Sequence, residues 1–174
     1  MPELPDVEIY IRALRTRVEG HPLQAVRVVS PFLLRTVDPP LRAFEGVRVV
    51  GVERMAKRVV LAFEQELFLV IHLMIAGRLH WTTETKWRGR SKSLAEFRFE
   101  HGALTFTEAG TTRRASLHAV RGRAALDLLR PAGIDVLTAG LDAFAAALGA
   151  RRRPTPLPFS YDDGGGAREA AGTL

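Results

Sequence analysis

The chain contains no cysteine, which excludes disulfides, thiol catalysis and cysteine-ligated zinc within it. It also lacks a long hydrophobic run. The longest apolar stretch, from Leu67 to Ile75, contains His72 and falls far short of the ~20 residues a membrane-spanning helix needs. The opening residues carry acids where a secretion signal would carry positive charge, and no continuous apolar core follows them. The start therefore does not read as a signal peptide, and a cytoplasmic protein is expected. What is present is a 174-residue chain that is 47% hydrophobic, enough for one full domain and a fragment of a second. Its net charge of +6 suits a polyanionic partner, nucleic acid being the usual one.

Hydrophobic spacing divides the chain. Val7, Tyr10, Ile11, Leu14 and Val18 recur at helical period, and Gly20 with Pro22 supplies a stop, which predicts an amphipathic helix from Pro5 to Glu19. From Leu23 to about Val120 the pattern is β. Leu23–Val29, Val47–Val52, Arg58–Phe63, Leu67–Leu73, Arg78–Trp81, Leu94–Glu100 and Ala103–Thr107 are short runs rich in β-branched or aromatic residues. His101-Gly102 reads as a hairpin turn. Many short strands without intervening helices predict a mainly β fold with flanking helices, a sandwich or flattened barrel. Gly122–Leu129 and Leu141–Leu148 read as short helices. Beyond them the arginine run Arg151–Arg153, clustered prolines and Asp-Asp-Gly-Gly-Gly show no hydrophobic period, so residues 149–174 are expected to be disordered. The expected organisation is a β domain over 1–120, a helical connection over 121–148 and that tail.

The chemistry concentrates at the N-terminus. Removal of Met1 exposes Pro2 as a secondary amine beside Glu3. An α-amino group titrates near pH ~8, well below a lysine, so a useful fraction is free to attack a carbonyl-like carbon. A secondary amine then gives an iminium ion, which has no proton to lose from nitrogen and stays an electron sink. That is covalent amine catalysis, with the neighbouring carboxylic acid as proton donor and acceptor. The plain alternative is that prolines and acids simply suit a first helical turn, and Asp6 and Glu8 need no more explanation than that.

The whole string Met-Pro-Glu-Leu-Pro-Asp-Val-Glu, Met1 to Glu8, resembles the opening of the formamidopyrimidine-DNA glycosylase and endonuclease VIII family, whose members begin Pro-Glu-Leu-Pro-Glu-Val-Glu after the initiator. Only Asp6 differs. The resemblance implies a two-sheet β-sandwich with the first helix alongside, and a bifunctional DNA glycosylase and abasic-site lyase. Its partner would be duplex DNA carrying a damaged base or abasic site, with the damaged nucleotide flipped out of the stack. Pro2 would attack C1′ and Glu3 would act as general acid/base. Lys57, between two strand-like runs, matches a family lysine that contacts phosphate near the lesion and assists catalysis, so the resemblance implies a catalytic role for it. Met74, in Ile71-His72-Leu73-Met74-Ile75-Ala76-Gly77, matches a segment whose methionine fills the hole left by the flipped base, a use of apolar wedges general among proteins that open DNA. The plain readings are a solvated hairpin lysine and a core-filling methionine; His72 reads as a structural strand residue.

Arg113 and Arg114 stand where the family has Arg-Arg-Phe-Gly after an acidic residue, and in this chain Ala115 and Ser116 follow them. The aromatic member of the wedge is therefore missing, although the arginines still suit a groove or phosphate. Arg88 and Arg90, in the basic loop Trp87–Lys92, are further phosphate-contact candidates, equally readable as a solvated loop.

Family members of usual length continue into a helix–two-turn–helix module, with an asparagine-containing turn, and often a zinc finger. This chain has no asparagine and no cysteine, so the resemblance leads to the expectation of a truncated second module, no zinc or other cofactor, and weakened duplex binding by a monomer. Two other readings stand: a non-catalytic damaged-DNA-binding module or inactive remnant, and a small-molecule enzyme that uses the N-terminal proline as an acid or base.

Overall fold

A computed structural model of the chain describes residues 2–84, 92–110, 113–131, 134–135 and 139–150. The chain divides into two compact units, Met1–Ala132 and Gly133–Leu174.

The first unit is the mainly β fold expected, with an N-terminal helix. Helix α1 spans Leu4–Val18, one residue ahead of the predicted range. Its first turn is tightened where the Glu3 N–H donates to Asp6 Oδ2 at 2.8 Å, and it stops before Gly20, whose φ of +80° is one that glycine adopts without strain. Eight strands follow: β1 Ala25–Val28, β2 Val49–Met55, β3 Arg58–Phe63, β4 Leu67–His72, β5 Gly77–Thr82, β6 Ser93–Phe99, β7 Gly102–Glu108 and β8 Ser116–Arg121. They form two antiparallel four-stranded sheets, in the orders β1-β6-β7-β5 and β2-β3-β4-β8.

The main core includes Val7, Ile11, Leu14 and Val18 of α1 together with Phe44, Phe63, Phe97, Phe99 and Phe106 from the strands and their connections. Each such aromatic contributes roughly 2 kcal/mol through its burial. A second cluster, including Val60, Phe68, Val70 and Val120, is covered by Leu126 of α2, Arg123–Leu128. Having apolar cover on both faces explains why β3 and β4 read as continuous apolar runs and not as alternating ones.

Helix α1 is sewn along the edge strand β2, and this places the N-terminus. The Arg15 guanidinium donates from Nε and Nη2 to the Val52 carbonyl at 3.1 and 3.0 Å, and Glu19 Oε1 accepts the Val52 N–H at 2.8 Å. Two turns nearer the start, Arg54 Nε meets Glu8 Oε1 at 2.6 Å. These contacts satisfy edge groups that would otherwise invite another strand, and they draw the helix start toward the β2–β3 hairpin.

The structure corrects several expectations. Strand β8 was absent from the predicted set. The β6–β7 hairpin turns at Glu100-His101, with Phe99 opposite Gly102; Gly102 serves instead the close approach of β5, since a Cβ there would lie 2.5 Å from the Trp81 ring and 2.6 Å from the Thr82 carbonyl oxygen. In the second unit, α3 spans Leu141–Ala150, so Gly149 and Ala150 belong to a helix and not to the expected tail. Residues 151–174, with Arg151–Arg153, and the loop arginines Arg88 and Arg90 lie outside the described residues. Among the described residues no helix is long and apolar enough to cross a membrane.

Candidate active site

The β2–β3 hairpin turns through Ala56 and Lys57, with Ala56 at a φ of +53°, a left-handed geometry that costs a non-glycine residue about 1–2 kcal/mol. Lys57 is thereby carried to the start of α1, where its Nζ lies 2.5 Å from Glu3 Oε2. Both side chains are substantially exposed, at 40% and 51%, so solvent screens the pair and it adds little stability. Its consequence is positional: a carboxylate and an ammonium are held together beside Pro2.

Pro2 is buried and borders a cavity of about 270 Å³ whose other walls are Asp6, Ile9, Tyr10 and Arg78. Space of that size, opening beside the nitrogen that Met1 removal would free, is where a reacting sugar or base could be received. Arg78 brings a guanidinium to the same cavity, and sequence reading did not single it out. Its signal was only its place one residue past a glycine at the start of β5.

The β4–β5 loop separates two adjacent apolar residues. Met74 has a φ of +54° and is partly buried, whereas Ile75 is 53% exposed. Ile75 is thus the more exposed neighbour of Met74, the residue picked out by sequence. The loop is closed by the Gly77 N–H donating to the Leu73 carbonyl at 2.9 Å and joined to the next segment by the Ala109 N–H donating to the Ala76 carbonyl at 3.3 Å.

That next segment carries Arg113 and Arg114, both exposed. Its organiser is Glu108, opposite Gly77 in the β5–β7 register and only 2% exposed. Glu108 Oε1 accepts the N–H groups of Arg114 and Ala115, each at 3.1 Å, and Oε2 accepts from Ala115 at 3.3 Å. Charge-assisted bonds to a buried carboxylate are strong ones. Glu108→Ala is expected to leave two backbone donors unpaired and to destabilise the chain by about 3 kcal/mol, seen as a lower thermal midpoint and faster amide exchange at Arg114 and Ala115. An unchanged midpoint would remove Glu108 from this role.

Near Lys57, at one end of the second sheet, Arg58 lies opposite His72 in the β3–β4 register, and His118 of β8 lies opposite Val70. Burial, then Arg58, His118 and Lys57, push the His72 pKa below its ordinary 6.5. Burial, then Arg58 and Arg35, do the same to His118. Both rings are therefore favoured neutral in the folded chain. Above the unfolded value of 6.5 their stabilising effect is fully present; as pH falls the unfolded chain takes up protons that the fold resists, and stability declines through the folded pKa values. The thermal midpoint should drop on acidification below about pH 6.5, the ordinary histidine value, and His72→Gln with His118→Gln should flatten that slope. Equal slopes would contradict the linkage.

Among the described residues no cluster of three histidine, aspartate or glutamate side chains is placed to hold a metal ion.

Two antiparallel sheets with a helix that delivers Pro2 and Glu3 to a hairpin lysine define the class. Residues 1–117 match the model of the formamidopyrimidine-DNA glycosylase N-terminal domain, and the chain belongs to that family. A formamidopyrimidine-DNA glycosylase of Laribacter hongkongensis is 41% identical over 78 residues, covering 44% of this chain and 29% of the relative. That of Acidovorax ebreus is 31% identical over 160 residues, covering 88% of this chain and 57% of the relative. The latter match takes in more of the chain than residues 1–132 contain, so it reaches into the second unit. A solved structure of the Lactococcus lactis Fpg with abasic-site-containing DNA superposes with a TM-score of 0.65 at 20% identity, covering 73% of this chain and 47% of that one; at that identity the likeness establishes the fold. The chain spans less than two thirds of each of these relatives.

Proposed function

We propose that this chain is a DNA base-excision enzyme, a glycosylase and abasic-site lyase acting through Pro2 on duplex DNA with damaged or missing bases. The observation that carries the reading is the contact of Lys57 with Glu3, the residue next to a Pro2 that borders a cavity. Once Met1 is removed, the Pro2 nitrogen attacks C1′ of the lesion nucleotide. The damaged base leaves with its bonding electrons and a proton, and the amine gives up its own proton. The C1′–O4′ bond then breaks, O4′ takes a proton as the sugar ring opens, and an iminium forms between Pro2 and C1′. The iminium acidifies the C2′ proton; a base removes it, and the 3′ phosphate leaves by elimination. Glu3 is the group positioned to donate and accept these protons, and Lys57 sets it in place and offers positive charge to a phosphate.

Met74, with the more exposed Ile75 beside it, fills the space left by the extruded nucleotide, Arg113 and Arg114 enter the groove or hold phosphate, and Arg78 faces the cavity. Arg88 and Arg90 remain phosphate candidates on composition alone. The reading needs no metal or other cofactor, and it places the chain in the cytoplasm as a monomer. Activity is expected to be strongest on abasic sites, where no base has to be recognised. Borohydride trapping should yield more adduct on an abasic duplex than on one with an intact oxidised base, and none on undamaged duplex. Equal trapping on the first two would contradict the preference, and no trapping on either would contradict the reading.

A further inference from the structure

Phe32 is 77% exposed, and its presentation is built. Pro31 and Phe32 are the central residues of a turn closed by the Leu33 N–H donating to the Ser30 carbonyl at 3.1 Å; proline at the first central position pre-sets the backbone. The chain then runs along the free edge of β8. Leu117 donates its N–H to the Leu33 carbonyl and accepts from the Arg35 N–H at its own carbonyl, both at 2.9 Å, and Leu34 bridges Leu117 in parallel. Farther on, Thr36 Oγ1 accepts the Ala119 N–H at 2.8 Å. Two residues back from the parallel bridge on each side stand Phe32 and Ala115. Both border one narrow crevice with Ser30, Leu33, Leu94 and Arg113.

A lone exposed phenylalanine is ordinary. This one is held on a proline-set turn beside an exposed arginine, and the arginine's loop is tied through Glu108 and Ala109 to the loop that projects Ile75. Just ahead of β8 the chain has only the small, buried Ala115. An aromatic ring, a guanidinium and an aliphatic tip on neighbouring segments match what stacks on and separates nucleobases. We infer that Phe32 is a base-stacking residue of the DNA interface, which supplies from a different segment the aromatic surface that Ala115 lacks and packs on an unstacked base beside the extruded nucleotide. This inference rests on the DNA-repair reading of Pro2.

The test is binding of the full chain to a duplex with one tetrahydrofuran abasic analogue, at a single salt concentration, followed by fluorescence anisotropy. Phe32→Ala should weaken binding about tenfold, the scale of one lost base–aromatic stack, with its thermal midpoint unchanged because the ring is exposed. Phe32→Trp should bind like the unaltered chain and show an emission quench on DNA beyond that of Trp81 and Trp87. Binding by Phe32→Ala as tight as that of the unaltered chain, or a tryptophan at 32 that DNA does not quench, overturns the inference. Borohydride trapping by the unaltered chain, run alongside, separates the two layers. Trapping with intact Phe32→Ala binding removes Phe32 alone; neither trapping nor duplex binding by the unaltered chain removes both.

Discussion

Replacing Pro2 by glycine in the Met1-processed chain is expected to reduce borohydride-trapped adduct on an abasic duplex by on the order of 10³-fold, the scale on which removal of a catalytic group acts. Glycine keeps an N-terminal amine but makes it primary. Its imine can shed the nitrogen proton and become a neutral, weaker electron sink, whereas the proline adduct keeps its charge. Glycine also gives up the buried pyrrolidine ring that borders the cavity. Glu3→Gln should reduce turnover by 10²- to 10⁴-fold, roughly the contribution of general acid–base catalysis, with less effect on duplex binding. Full trapping by Pro2→Gly would show that the secondary amine of proline is not required for the adduct.

The largest structural effect is expected from Gly77→Ala. A Cβ at Gly77 would lie 2.3 Å from the Leu73 carbonyl oxygen and 2.9 Å from the Leu73 carbonyl carbon and Cα. These are backbone atoms, so no rotamer change relieves the clash. The turn from Leu73 to Gly77 must open, and with it moves the loop that projects Ile75 and leads into Arg78. Forced overpacking of this kind costs about 3 kcal/mol, or a midpoint lower by about 10 °C for a chain of this size. Duplex binding should fall with it. Gly51→Ala is the control: a Cβ there meets nothing within 4 Å, and the strand should tolerate or welcome it, by roughly 0.5 kcal/mol. Equal midpoints for the two variants would contradict the close approach at Gly77.

Much of the fold was legible because its signals are local. The helical period of Val7, Ile11, Leu14 and Val18 located α1, and runs such as Arg58–Phe63 coincided with observed strands. Strand β8 escaped because Ser116 and His118 alternate with Leu117 and Ala119 just after an arginine pair, which reads as loop; the alternation itself was the overlooked signal. His101-Gly102 was misplaced because a glycine beside a polar residue suggests a turn, while the constraint on Gly102 comes from Trp81 and Thr82 of β5, distant in sequence.

The candidate site divides in the same way. Pro2, Glu3 and Lys57 stood out as parts of a motif and a hairpin, and the structure brings Glu3 and Lys57 into contact. The left-handed backbone angle of Met74 and the exposure of Ile75 beside it are not written in residue type. Glu108 is set apart by its burial and its two backbone donors, which residue type does not show. Phe32 required the parallel register of Leu34 with Leu117, a non-local fact.

The central claim is that the Pro2 amine is the nucleophile. Peptide mapping of the borohydride-reduced adduct tests it directly, because the chain has only three lysines, Lys57, Lys86 and Lys92, to compete with the N-terminus. The account predicts that the deoxyribose-derived mass sits on the N-terminal peptide at Pro2, with Met1 absent. An adduct on Lys57, or no adduct from a chain shown to have lost Met1, would contradict it.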